Sequence, residues 1–325
     1  MTLVVLGIDA LDPDLVDVST HPSLTLSSHR AIETIVSSSG EPSTHELWPT
    51  IITGLRPEEH GIVLDDGVAW ENPLLSVGSR IANVVLPETV RTRLGAWLLT
   101  NTDADAFRKP ASYYAANGIS TVFDGRKAAA IGIPNYVVDE EIPDREHQLR
   151  KHMGSLFERD ASEPGGHSSS DPVEFYERCL EMSMIRIARV RRALRGRRNE
   201  LVFGYTSGLD LIGHVSYDRP ELRQRAYAEL DEFVGELVDD LGDDDELLLV
   251  SDHGLQDGLH TEEAMVAATS EELIDDIESV LDVRAAIERE LETGAHDVVE
   301  STADTTTDGE QSDRVREQLE DLGYM

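Results

Sequence analysis

An α/β sandwich with a largely parallel central sheet flanked by helices is the fold class this sequence predicts, on three observations. Three near-continuous apolar runs, "TLVVLGID" (2–9), "ELVFGYTSGLD" (200–210) and "ELLLVSDHG" (246–254), have the pattern of strands buried on both faces. Long helical patterns alternate with the later runs, and that alternation favours parallel strands. Each run also passes into an aspartate, and in open α/β sheets sites form beyond the carboxyl ends of the strands. Three aspartates at three such ends point to one shared site. At 325 residues and 40% hydrophobic composition, the chain can bury a large core that carries an insertion.

Taken in chain order, the run 2–9 is the first strand and delivers Asp9. The segment "EPSTHELWPTIITGLRPEEHGI" (41–62) holds a small-residue helix that opens at Ser43 or Thr44 and closes at Gly54, with Pro57 beyond. Residues 65–170 are less regular, include the polar loop "DASEPGGHSSSD" (160–171) and read largely as an insertion or cap. Within them "AAAIGIPNYVV" (128–138) predicts a further strand. "DPVEFYERCLEMSMIRIARVRRALRG" (171–196) has apolar residues at helical spacing, Pro172 in its first turn and a stop near Gly196. "RPELRQRAYAELDEFVGELVDDLG" (219–242) predicts a second long helix leading into the strand at 246. From about 295 the apolar periodicity is lost, which predicts a flexible linker, and "RVREQLEDLGYM" predicts a short terminal helix.

The charge balance is extreme, with 64 acidic against 28 basic residues and a net charge of −36. Lys109, Lys127 and Lys151 are the only lysines, so arginine supplies almost all the positive charge. Such acidity reads as solvation adapted to a salt-rich cytoplasm, where ionic strength screens self-repulsion. A cation-binding surface is the alternative. Either way a nucleic-acid backbone would be repelled. Cys179 is the single cysteine, which excludes a disulfide framework and a thiolate metal cluster. "MTLVVLGIDALDPDL" lacks the basic start and long apolar core of a signal peptide, and no stretch reaches the roughly 20 apolar residues of a membrane span. A soluble cytoplasmic protein is expected.

Six side chains stand out at or just beyond the strand ends: Asp9, Asp210, His214, Asp252, His253 and His260. This oxygen and imidazole set suits zinc or, where carboxylates dominate, manganese. "DLIGH" puts Asp210 and His214 on one face if the chain turns helical after its strand. Asp252 and His253 are adjacent, so they reach one ion only through a bend, which Gly254 permits. Ser43 or Thr44 is, on the plain structural view, a helix N-cap. On the chemical view a hydroxyl at a helix N-terminus lies in a positive field and is a candidate nucleophile.

These motifs carry a family resemblance. "TIITGLRPEEHGI" resembles the "TGxxPxxHGI" signature of type I phosphodiesterases and nucleotide pyrophosphatases of the alkaline phosphatase superfamily. "GIDALD", "YTSGLDLIGH" and "SDHGLQDGLH" are similar to that family's remaining metal motifs, in the same order. The resemblance covers residues 1–64 and 198–267. It implies an alkaline phosphatase-like sandwich with an insertion or cap region. Its metal-binding core is 1–64 and 198–292, 65–197 is part core and part cap, and 293–325 is an acidic tail. It further implies that Asp9, Asp252 and His253 hold one ion and Asp210, His214 and His260 the other. Thr44, nine residues before Thr53-Gly54, takes the nucleophile position, with Ser43 adjacent to it. Two ions about 4 Å apart would clamp a phosphoryl group while Thr44 attacks it to form a phospho-threonine. The expected substrate is a small-molecule phosphate ester.

One position departs from the family pattern. The asparagine that follows "HGI" in nucleotide pyrophosphatases falls by spacing at Asp65, an acceptor-only carboxylate that would repel phosphate. Asn135 and Arg56 are the candidate replacement donors, and His60 reads as structural. A sulfatase is disfavoured because no C-x-P-x-R or S-x-P-x-R motif is present. A phosphomutase or a non-catalytic metal-binding homologue completes the set of alternatives.

Overall fold

A computed structural model of the chain describes residues 1–37, 40–63, 109–139, 145–153, 156–160, 162 and 166–293. The expectations for Asp65, for the whole 65–108 stretch and for the tail beyond 293 lie outside these residues.

Among the described residues ten strands occur: β1 (Leu3–Ile8), β2 (Ser28–Glu33), β3 (Ala128–Ile131), β4 (Glu158–Arg159), β5 (His167–Ser168), β6 (Leu201–Thr206), β7 (Glu246–Val250), β8 (Gly254–Gln256), β9 (Leu259–Thr261) and β10 (Glu263–Ala268). Six form one sheet in the order β2-β10-β7-β1-β6-β3. β1 pairs parallel with both β6 and β7, and β3 continues the parallel set beyond β6. β10 alone runs antiparallel, between β7 and β2. The three runs read as doubly covered strands are therefore the three central ones, and their carboxyl ends emerge side by side.

The helices are α1 (Pro22–Thr25), α2 (Thr44–Thr53), α3 (Pro57–His60), α4 (Ala111–Ala116), α5 (Arg145–His152), α6 (Pro172–Arg195), α7 (Gly208–Val215), α8 (Pro220–Val238) and α9 (Val283–Thr293). They cover both faces of the sheet. Leu3 and Val5 of β1 join one apolar layer with Trp48, Ile51 and Ile52 of α2 and with Ile287 and Leu291 of α9. Val4, Leu6 and Ile8 face the other way, onto Val190 of α6 and Leu230 and Val234 of α8. This alternation is the period-2 geometry of a strand, and each such fully buried aliphatic side chain contributes about 1.5–3 kcal/mol. The expected largely parallel sheet flanked by helices is what the chain forms.

Local chemistry explains where elements end. Asp171 caps α6 by accepting the Glu174 N–H at 3.1 Å, with Pro172 in the first turn. Gly54, at φ 67°, closes α2 in the left-handed region. The strand expected over 128–138 stops at Ile131. There Gly132 takes φ 72°, and Ile133-Pro134-Asn135-Tyr136 turns on Asn135 at φ 55°. The helix expected to reach 242 ends at Val238, and Asp240 just beyond accepts ion pairs from Arg191 and Arg195 of α6.

α2 approaches the sheet closely because β1 carries a glycine opposite it. A Cβ on Gly7 would lie 2.4 Å from Trp48 Cη2. Trp48 also meets Tyr205 edge-on, with ring centroids 4.9 Å apart. The ring thus locks α2 to the strands that lead into Asp9 and into the helix bearing Asp210.

His60 has the structural role expected of it. It is fully buried, accepts the Ile62 N–H on Nδ1 at 3.2 Å and lies 3.1 Å from Thr50 Oγ1 through Nε2. Burial holds its pKa down, from 6.5 to about 4. The unfolded chain therefore binds a proton between these values that the folded chain refuses, so stability falls as pH drops through this window. His60→Gln should flatten the dependence of melting temperature on pH between about 6.5 and 4, because the unfolded state loses one proton of uptake. An unchanged slope in calorimetry would assign the acid sensitivity to other groups.

Candidate metal centre

Asp9 follows β1 directly and extends its ladder, donating its N–H to the Thr206 carbonyl at 3.0 Å. Beyond β6 the chain turns helical, and α7 sets Asp210 and His214 four residues apart on one face. Beyond β7 the chain bends at 251–253 and enters the β8–β9 hairpin, which returns His260 to the same place. All six expected ligands converge. Asp9, Asp252 and His253 form one group whose ligand atoms lie within 4.8 Å of one another, and Asp210, His214 and His260 form a second to the same limit. The groups adjoin: the His253 and His260 rings stack with centroids 4.0 Å apart.

The three imidazoles are oriented from behind. His214 Nδ1 donates to the Gly258 carbonyl at 3.0 Å, His253 Nδ1 to the Gly254 carbonyl at 3.1 Å and His260 Nδ1 to the Pro42 carbonyl at 2.9 Å. With Nδ1 protonated, each ring turns the Nε2 lone pair inward, the arrangement in which backbone carbonyls prepare histidines for a metal. His214 Nε2 and His260 Nε2 stand 3.0 Å apart, a pair that needs a shared proton or a cation. Each also lies near Asp210 Oδ1, at 3.2 and 3.4 Å.

Thr44, first residue of α2, completes the cluster. Its Oγ1 is 3.2 Å from Asp9 Oδ1 and 3.2 Å from His253 Nε2. Ser43 occupies the N-cap position with extended backbone. The Pro42 carbonyl on His260 ties this loop to the second group.

Electrostatics set the two groups apart. Burial, then the charge of Asp210, lifts the Asp9 carboxyl to about 7, and burial with the Asp9 charge pushes Asp252 upward as well. Burial and then His260 hold His253 down near 3, so the imidazole within this group stays neutral and the charge that lowers Asp9 comes from His260 of the second group. In the second group burial opposes charge on His260, but the hydrogen bond and charge of Asp210 outweigh it and raise that ring to about 9. A cation here would displace a proton. Both oxygens of Asp252 are buried without a hydrogen bond. Buried carboxylate oxygens are stable only when charge or donors answer them. The cluster could hold divalent metal.

Residues 3–322 match the family described as type I phosphodiesterase / nucleotide pyrophosphatase. The chain belongs to that family. Membership spans the middle region that the motifs alone left uncovered, and it makes the chain a phosphate-ester hydrolase. No curated protein sequence matches it. Solved structures of related shape are distant in sequence. A mutant alkaline phosphatase from the Antarctic bacterium TAB5 is 11% identical, with 90% of this chain and 97% of that chain covered at a TM-score of 0.44. Murine ectonucleotide pyrophosphatase / phosphodiesterase 5 is 14% identical, covering 78% and 57% at 0.35. A phosphonoacetate hydrolase from Sinorhizobium meliloti is 15% identical, covering 78% and 56% at 0.39.

Around this family member's cluster lie residues that the motifs did not single out. Tyr205, on β6 beside Gly7 in register, donates its hydroxyl to Asp9 Oδ2 at 2.5 Å. Ser207, N-cap of α7, donates to Glu146 Oε1 at 3.2 Å, and Glu146 pairs with buried Arg186 of α6. Arg150 of α5 exerts its charge on His45 and Tyr205. Asn135 donates its amide to the His45 carbonyl, and exposed Arg56 follows the far end of α2, about 15 Å along the axis from Thr44. Cys179, buried in α6 with its thiol pushed up by burial, gives no nucleophile.

Removing the support behind Asp9 should weaken metal uptake. Tyr205→Phe is expected to lower affinity for zinc about tenfold in chelator competition, the low end of the effect of deleting an outer partner. Unchanged affinity would show that the Tyr205 hydroxyl does not orient Asp9.

Proposed function

We propose that this protein is a two-metal phosphoric ester hydrolase in which Thr44 is the nucleophile. The observation that carries the proposal is the contact of one hydroxyl with the first ligand group, beside a second group of three further ligands. Asp9, Asp252 and His253 would hold one ion and Asp210, His214 and His260 the other, zinc or alternatively manganese. Such ions supply positive charge to the phosphoryl oxygens and lower the pKa of an adjoining hydroxyl.

The chain's own groups perform the rest. The N-terminus of α2 directs its dipole at the phosphoryl group, and Arg150 adds a positive field from the side of His45. Thr44 Oγ1 bonds to phosphorus as the bond to the leaving oxygen breaks, and its proton passes through solvent to that oxygen, which departs as the alcohol. Water then cleaves the Oγ–P bond and Thr44 regains its hydroxyl. The first group is buried, whereas His214 and His260 retain partial exposure, so the ester enters over the second group. No helix among the described residues is long and apolar enough to cross a membrane. With a net charge of −36, we take the protein to act on small esters in a salt-rich cytoplasm.

Thr44→Ala should abolish turnover of bis-p-nitrophenyl phosphate and p-nitrophenyl phosphate in molar salt while metal content by mass spectrometry stays unchanged. Ser43→Ala should keep most activity. The reverse pattern would move the nucleophile to Ser43. Asp210→Ala should lose about one equivalent of metal and at least a hundredfold in rate, in line with loss of a direct ligand. Full metal occupancy in that variant would remove Asp210 from the ligand set.

A further inference from the structure

Helix α2 contains a proline at an awkward place. Pro49 lies four residues after His45, so the N–H that would donate to the His45 carbonyl in the helix ladder does not exist. The proline ring also crowds that carbonyl and turns it outward. His45 immediately follows Thr44, and an unanswered carbonyl in the first turn would loosen the backbone that aims the Thr44 hydroxyl.

The missing bond is made from elsewhere in the chain. Asn135 Nδ2 donates to the His45 carbonyl at 2.9 Å, across ninety positions of sequence. Asn135 is 2% exposed and is held on every side. Its Oδ1 accepts the Lys109 N–H at 3.3 Å, and its own carbonyl accepts the Tyr114 hydroxyl at 2.7 Å. These partners fix which end of the amide is nitrogen, since a carbonyl must receive the N–H and an N–H must meet the oxygen. The backbone is shaped for the task. Pro134 and Asn135 are the central residues of a turn closed by Tyr136 N–H to the Ile133 carbonyl at 3.2 Å, and Asn135 takes φ 55°. Asparagine and glycine tolerate that conformation best, and only asparagine brings a donor.

We propose that Asn135 is a positioning residue for the nucleophile: its side-chain amide replaces the helix hydrogen bond that Pro49 withholds from His45, and so fixes the first turn of α2 and the place of Thr44. The proposal rests on Thr44 being the nucleophile. Thr44 Oγ1 must stay within about 3.2 Å of both Asp9 and His253, and a misplacement of about 1 Å at a reacting group can lower a rate by about a hundredfold.

Asn135→Gly keeps the turn conformation and deletes the donor, so it isolates the amide. In the metal-loaded enzyme it should lower kcat for bis-p-nitrophenyl phosphate by about ten- to a hundredfold, leave KM and metal content within about twofold, and speed amide exchange across residues 44–48. Pro49→Ala restores a backbone N–H to the helix. Alone it should be nearly neutral, and combined with Asn135→Gly it should recover most of kcat and of the exchange protection. A merely structural asparagine would not be rescued by a proline replacement on another element. Wild-type kcat in Asn135→Gly, or a folded double variant as slow as the single one, would overturn the proposal. Should Asn135→Gly fail to fold, Asn135→Asp makes the same comparison, because it keeps the acceptor for Lys109 and lacks the donor. Thr44→Ala assayed beside them separates the two claims. An active Thr44→Ala removes the nucleophile assignment, whereas an inactive one with fully active Asn135→Gly removes only the positioning role.

Discussion

Two buried carboxylates sharing one small space are the constraint to which the rest of the site answers. Asp9 and Asp252 meet at the ends of neighbouring parallel strands, against an imidazole that burial keeps neutral. Like charges so placed cannot both ionise without a compensating cation. The fold nevertheless keeps them there, because each is the continuation of a central strand whose register is set by apolar burial on both faces. Stability of the sheet thus finances an electrostatic strain at its edge that a metal relieves. Tyr205 and three backbone carbonyls behind the histidines are arranged for that same relief.

How much of this was legible in the sequence follows from which interactions are local. Strands buried on both faces write themselves as unbroken apolar runs, so β1, β6 and β7 were readable, and Asp9, Asp210 and Asp252 came with them. His214 and His260 were readable through spacing, since a helical turn and a glycine loop each bring a ligand back. The segment 128–138 was overread as strand because its composition is apolar throughout, while its course is decided by Gly132 and the Pro134-Asn135 turn. Tyr205 was hidden inside a run that looks uniformly apolar. Its hydroxyl matters only because strand pairing sets it against Gly7, two residues before Asp9. Asn135 is legible as a donor, but the acceptor it meets here, the His45 carbonyl, is not. The signal that names the acceptor is Pro49, four residues beyond His45, and it speaks only once the segment is known to be helical.

The middle of the chain is part of the machinery. Glu146 of α5 and Arg186 of α6 form a buried pair that receives the Ser207 hydroxyl at the start of the helix bearing Asp210 and His214. Arg186 lies over Gly132, where any Cβ would fall within 2.0 Å of its guanidinium. A stretch with little regular patterning therefore braces α7 from one side while the turn at Asn135 braces α2 from the other. Both helices carry site residues, and both are held by buried polar groups that must be fully satisfied to be stable.

A chain of net charge −36 that handles an anionic ester presents an apparent conflict, which the geometry resolves by scale. On the proposed assignment, two doubly charged ions against three carboxylates and three neutral imidazoles would leave the centre itself positive. That local charge acts across a few ångströms of buried, low-dielectric space, where charges are strongly felt. The acidic surface acts through solvent, and at about 1 M salt its field decays within about 3 Å. The repulsion an incoming phosphate meets is therefore shallow, while the attraction at the strand ends is deep. In the proposed salt-rich cytoplasm, salt would uncouple the surface from the site, so that an excess of acid over the whole chain and a positive metal-loaded pocket at its centre could coexist.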